Sequence, residues 1–276
     1  MKQLEFHEVQ KTALNVLKRL TEICDELNLK YVLAWGTLIG AVRHKGFIPW
    51  DDDIDIMMPR HDYDRLLAYF SVHKDELLPY EALTMETRKN YPHMICRISD
   101  SRTWIDVTNE KNCDMGVFVD IYPMDGLGNS YGEAMEIMKK TTPYCSLIFL
   151  AARKYYHFGN TKGWKKRLIK FPAFIYTHIM GQKYFVNKVK AIAKNLDYDK
   201  SLYIGCATWV TNPLIGIMKK EWFEERVKAK FEDSEFYIPK EYDKVLRTTY
   251  GDYMQLPPEK DRIAHHFYSA YRKEGL

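Results

Sequence analysis

WGTLIGAVRHKGFIPWDDDIDIMM, residues 35–58, is the stretch on which the reading of this chain turns. It grows out of a short apolar run, YVLAW (31–35), too brief for a helix and ended by Gly36, which reads as a buried strand. Gly36 and Thr37 then stand where that strand turns into a helix over 37–44. Backbone N–H groups and the positive end of the helix can face a phosphate there, and glycine permits the close approach. Sixteen residues after Thr37 begins Asp53-Ile54-Asp55-Ile56. The segment 53–58 alternates acid and apolar like a strand, and residues two apart on a strand point to the same side. The carboxylates of Asp53 and Asp55 therefore converge. Two such carboxylates repel unless something positive lies between them, and the hard cation that takes oxygen ligands and phosphate partners is Mg²⁺, with Mn²⁺ as a substitute.

A divalent site needs a third carboxylate. Asp120 is the best candidate, ending the apolar strand of GVFVDIYPMDG (116–126), and Asp106 is a weaker one. Arg43, His44 and Lys45 lie on the loop that links the two motif halves, placed to hold diphosphate oxygens, with Arg43 the leading choice. A glycine-hydroxyl turn, a DxD strand and a later strand with one more Asp resemble the apparatus of the nucleotidyltransferase-fold superfamily.

Around this centre the chain divides. Apolar positions at helical spacing predict a helix over 8–28, Pro59 opens another through Phe70, and 94–98, 103–107 and 117–122 read as strands. After Asp125 the periodic segments 131–156, 164–180 and 184–196 read as helices. The expected architecture is α/β (α+β): a mixed-sheet catalytic core over 1–127 and a mostly helical, acceptor-binding part over 128–276 packed on it. With 276 residues, 46% hydrophobic and 28% charged, the chain has the composition of a globular protein with a sizeable core. Five cysteines without a CxxC pair argue against a zinc ribbon and a disulfide framework, and for a cytoplasmic compartment. The first residues show no apolar core of a secretory signal, and no run reads as a bilayer span. Residues 151–194 carry eleven Lys or Arg and no Asp or Glu, interleaved with aromatics. Such a stretch suits either a solvated helical face or an anionic membrane surface.

Read as a whole, YVLAWGTLIGAVRHKGFIPWDDDIDI (31–56), RISDSRT (97–103), GVFVDIYPMDG and the late YGDYMQLPPEKDR (250–262) resemble the LicD family of phosphocholine transferases, bacterial relatives of fukutin-related protein. The resemblance runs from about residue 8 to 270. It implies a nucleotidyltransferase-like fold that uses CDP-choline and moves phosphocholine onto a sugar hydroxyl of a lipid-linked glycan precursor, of teichoic acid or lipopolysaccharide, releasing CMP. It implies catalytic metal ligands at Asp53, Asp55 and Asp120 and a phosphate turn at Gly36 and Thr37. Arg43, Lys45, Trp50, Asp51 and Tyr122 are the further substrate-binding candidates. The cysteine-based zinc loop of the fukutin-related relatives has no counterpart. A quaternary ammonium is recognised by aromatic faces and carboxylates, and Trp35, Trp50, Trp104 and Tyr122 are the motif-proximal aromatics. In the tail, Arg262, His265 or His266 can reach a phosphate, unless 250–262 is only a packed loop.

The expected protein is thus a cytoplasmic, Mg²⁺-dependent enzyme, peripheral on the inner face of the cell membrane. Its rivals are a nucleotidyltransferase passing NMP from an NTP to a small molecule or RNA, and a binding protein that uses the basic aromatic stretch. The acidic remainder of the chain argues against nucleic acid.

Overall fold

The computed structural model describes residues 1–156, 164–209, 212–263 and 268–274, and for 164–168 the backbone only. β1 (Lys2–Gln3) leads into α1 (Phe6–Glu26), where the backbone N–H of Glu5 donates to the Glu8 carboxylate at 2.9 Å. Val9, Ala13, Val16, Leu17, Leu20 and Ile23 recur at helical spacing, and this stripe is buried against the strands β5 (Cys96–Asp100) and β7 (Phe118–Gly126). Each fully buried Leu or Ile of the stripe contributes about 1.5–3 kcal/mol. Asn28, at φ 51°, turns the chain out of the helix.

β2 (Val32–Leu33) is followed by α2 (Trp35–Ile39), which widens into a π-helical turn over Gly40–His44. The helix thus starts two residues before the expected 37. Gly40 is needed in the turn: a Cβ there would stand 2.4 Å from the Gly46 carbonyl oxygen. β3 (Asp55–Pro59) and α3 (Arg60–Val72) come next, then β4 (Tyr80–Leu83) and, between β5 and β7, β6 (Thr103–Val107).

The strand expected over 53–58 begins at Asp55, and Asp53 belongs to the segment leading into it. The central sheet runs β2-β3-β7-β5-β4, with β3 and β7 parallel and the other pairs antiparallel. Every residue of β3 and β7 is buried, as in a parallel pair covered on both faces. Asp55, the acid of β3, is therefore inside the protein.

Beyond Gly126 helices predominate: α4 (Tyr131–Ala152), capped by the Ser130 side chain, α5 (Trp164–Met180), α6 (Gln182–Ala193) and α7 (Tyr242–Tyr250). Strands are interleaved with them, β8 (Tyr203–Gly205), β9 (Met218–Lys219), β10 (Arg226–Phe231), β11 (Ser234–Pro239) and β12 (Tyr268–Arg272). β8 pairs with the end of β7, β10 and β11 form a hairpin, and β12 lies between β1 and β6. A second apolar cluster, with Leu127, Met138, Ile148, Phe185 and Val189, fills the space among α4, α6 and the segment around Ala207.

Candidate active site

Asp55 of β3 is the register partner of Asp120 on β7, and Asp120 is the register partner of Arg97 on β5. Directly opposed residues share a sheet face, so a carboxylate, a carboxylate and a guanidinium stand in one row across three strands. Arg97 Nε donates to Asp120 Oδ1 at 2.6 Å and Nη2 to Oδ2 at 3.3 Å. The Arg97 guanidinium carbon sits 3.8 Å from the centroid of the Phe118 ring. One buried carboxylate of the row is thereby compensated.

Asp55 is not. Among the described residues its buried Oδ1 has no hydrogen-bond partner. Burial, joined by the charges of Asp53, Asp120 and Asp51, pushes its carboxyl well above the ordinary carboxylate range. Oxygens of Asp53, Asp55 and Asp120 lie within 4.8 Å of one another, and Asp51, Asp52 and Asp53 make a second trio by the same measure. An orphaned buried oxygen inside a cluster of carboxylates fits a hard divalent cation, and an all-oxygen donor set suits Mg²⁺ or Mn²⁺.

The turn before β3 is built around these acids. Thr37 Oγ1 accepts the backbone N–H of Asp55 at 2.9 Å, which locks α2 to the start of β3. A Cβ on Gly36 would lie 2.6 Å from Asp51 Oδ2, so the glycine lets that carboxylate close onto the helix. Trp35 holds a left-handed backbone, φ 47°, an uncommon conformation for a bulky residue that concentrates at functional sites.

A cleft of about 780 Å³ opens beside the cluster. One wall carries Trp35, Gly36, Arg43, Trp50, Asp51, Asp53 and Asp55, and the other is the tail segment from Tyr250 to Asp261. The tail is therefore a wall of the cleft and more than a packed loop. Arg43 spans the two walls, its guanidinium donating to the carbonyls of Tyr253 and Gln255. Arg262 Nε donates to the Pro257 carbonyl at 2.9 Å and its guanidinium lies 5.7 Å from the Trp50 ring. Lys45, exposed at φ 63°, turns its ammonium back to the Val42 carbonyl at 3.0 Å and stands outside the described lining of the cleft. Tyr122 is buried, edge-on to Trp35 at 6.1 Å and to Trp209 at 6.4 Å.

Asp106 is exposed on β6, opposite Ser269, and does not join the cluster. Trp104 lies against Tyr271, ring centroids 5.4 Å apart, on that same outer sheet. His265 and His266 lie outside the described residues. The sequence reading quoted Arg97 and Tyr250 only as the first residues of two motifs, without a role at the site, and did not single out Trp209. Arg97 carried a signal, a single charge inside the apolar run Ile95-Cys96-Arg97-Ile98, whereas Tyr250 reaches the cleft, and Trp209 the Tyr122 ring, only through the tertiary fold.

Asp55 and Asp120 on adjacent central strands, with Asp53 just ahead of β3, gather three carboxylates beside the cleft, an arrangement suited to metal-assisted phosphoryl transfer. The family model described as LicD/FKTN/FKRP, nucleotidyltransferase domain, matches residues 28–143. The chain is 33% identical over 277 aligned residues to the lipopolysaccharide cholinephosphotransferase LicD of Haemophilus influenzae, an alignment covering 98% of this chain and 99% of the relative. It thus belongs to the LicD family. Shorter similarities reach uncharacterized proteins of Rickettsia typhi, 32% identical over 42% of this chain and 36% of the relative, and Rickettsia prowazekii, 35% identical over 35% and 34%.

Proposed function

We propose that the protein transfers phosphocholine from CDP-choline to a sugar hydroxyl of a lipid-linked cell-surface glycan precursor, lipopolysaccharide or teichoic acid, and releases CMP. The observation that carries this reading is the end-to-end similarity to a lipopolysaccharide cholinephosphotransferase. The row of Asp55, Asp120 and Arg97 beside a cleft large enough for a nucleotide supports it.

Asp53, Asp55 and Asp120 would hold Mg²⁺, whose charge offsets the negative charge of the pyrophosphate as the bond to CMP breaks. Arg97 keeps the Asp120 carboxylate in one orientation, and Asp120 assists the incoming hydroxyl as it approaches phosphorus. Gly36 and Asp51 shape the donor side of the cleft, and Arg43 fixes the tail wall against it. Trp35 and Trp50 line the cleft with Asp51, Asp53 and Asp55, aromatic faces beside carboxylates that suit a trimethylammonium group offering no proton for hydrogen bonding. The donor nucleotide and the lipid-linked acceptor assign the reaction to the cytoplasmic face of a membrane.

The test is CMP release from CDP-choline by the purified protein, with Mg²⁺ and with chelator, beside other CDP-alcohols and NTPs. Metal-dependent release confined to CDP-choline and stimulated by a glycan precursor is the expected result. Turnover of an NTP with none of CDP-choline would overturn the donor and leave a nucleotidyltransferase.

A further inference from the structure

A helix on the surface of a globular protein buries its apolar face and turns charge to water. α5 instead leaves an apolar face exposed. Pro172, Ile175, Tyr176 and Ile179 recur at positions i, i+3, i+4 and i+7, on one side of the helix, and all four are exposed. Ile169 and Met180 extend that side, and Ile169 and Ile179 are 73% and 77% exposed. Thr177, away from that side, is fully buried, and His178 Nε2 meets the Arg153 carbonyl at 2.9 Å where α4 ends.

A groove of about 610 Å³ runs between α4 and α5, lined by Pro143, Leu147, Phe149, Leu150, Ile169 and Ala173, with Arg153 and Lys170 beside them. Through 151–194 the chain has eleven basic residues and no acidic one. An apolar ridge within an acid-free, basic stretch complements a surface that is apolar below and anionic above. No helix among the described residues is long and apolar enough to cross a membrane, so the contact is one of lying on the surface.

We infer that α5 docks on an anionic phospholipid bilayer, Ile175, Ile179 and Ile169 entering the acyl boundary and Lys170 and Arg153 meeting lipid phosphates, with the α4–α5 groove taking one acyl chain. The assignment stands on the helix and its charges and does not depend on which donor the carboxylates use.

The test is co-sedimentation of the full chain with phosphatidylcholine vesicles and with phosphatidylcholine–phosphatidylglycerol vesicles at physiological salt. Binding to the anionic vesicles, weakened by added salt, is expected. Ile175→Glu and Ile179→Glu should each lower the vesicle partition coefficient about tenfold or more, because each replaces buried hydrocarbon by a charge. Both side chains are exposed in the free protein, so circular dichroism and CMP release with a detergent-free soluble acceptor should match the parent. Lys170→Glu should reduce binding to anionic vesicles and leave the weak partition into neutral ones. A parent protein that stays in the supernatant with both vesicles, or an Ile179→Glu variant that binds like the parent, overturns the inference. So does a dimer in sedimentation velocity that Ile179→Glu converts to monomer, since the ridge would then join two copies of the chain.

Discussion

Arg97 grips both carboxylate oxygens of Asp120 from the neighbouring strand, with its guanidinium laid over the Phe118 ring. The pair is buried, so removing one partner strands the other charge. Arg97→Met should destabilise the protein by about 3–5 kcal/mol in urea unfolding and abolish turnover. Combining it with Asp120→Asn should restore part of that stability and none of the activity. A double variant that loses the sum of both single effects would show that the two side chains do not act as a unit.

Asp55 places an orphaned carboxylate oxygen among like charges. Asp55→Asn should therefore raise the melting temperature of chelator-treated protein while reducing turnover by about a hundredfold or more. The parent should gain thermal stability on addition of Mg²⁺ or Mn²⁺, and the variant should gain little. Equal metal-induced shifts in both proteins would remove Asp55 from the ligand set.

Gly36 faces Asp51 so closely that a methyl group would displace the carboxylate. Gly36→Ala should lower kcat/KM for the donor about tenfold or more with unfolding nearly unchanged, a misplaced group rather than a broken fold. Thr37→Val is the contrasting case. It leaves the buried Asp55 N–H without its hydroxyl acceptor, which should cost about 1–3 kcal/mol of stability, and Thr37→Ser should recover most of it.

His93 is buried against Tyr91 and Trp209, and burial, with Arg97 and Arg153 nearby, holds its imidazole well below the ordinary value of 6.5. The ring stays neutral in the folded protein and charges in the unfolded chain. Its contribution to stability is present above pH 6.5 and is lost as pH falls from there toward the depressed folded value. Over that window the loss should approach about 1.4 kcal/mol per pH unit. His93→Phe keeps the ring contacts and should flatten the unfolding-versus-pH curve below neutrality. An unchanged slope would place the acid sensitivity elsewhere.

Local pattern made the carboxylates legible because the sheet puts chemistry on strands. Asp120 could be read from the apolar run it interrupts, and α5 matched its helical period over Trp164–Met180. The start of β3 was misplaced by two residues because alternation alone does not say where ladder pairing begins. The hairpin of β10 and β11 escaped for a different reason. Arg226–Phe231 alternates Val, Ala and Phe with lysines, but a half-buried hairpin carries a weak signal until its partner strand is known. The tail motif 250–262 stood out by its resemblance, but no local rule showed that it walls the cleft: only the closing of distant segments over the sheet brings it beside Asp55.

That closing has a consequence for the order of synthesis. The carboxylates at 53, 55 and 120 are made early, but the far wall of their cleft is made of Tyr250–Asp261, and β1 finds its pairing partner only in β12. Until Tyr250–Asp261 has been synthesised, that wall of the cleft cannot form. The cleft is complete only once that tail has been made and Arg43 holds it.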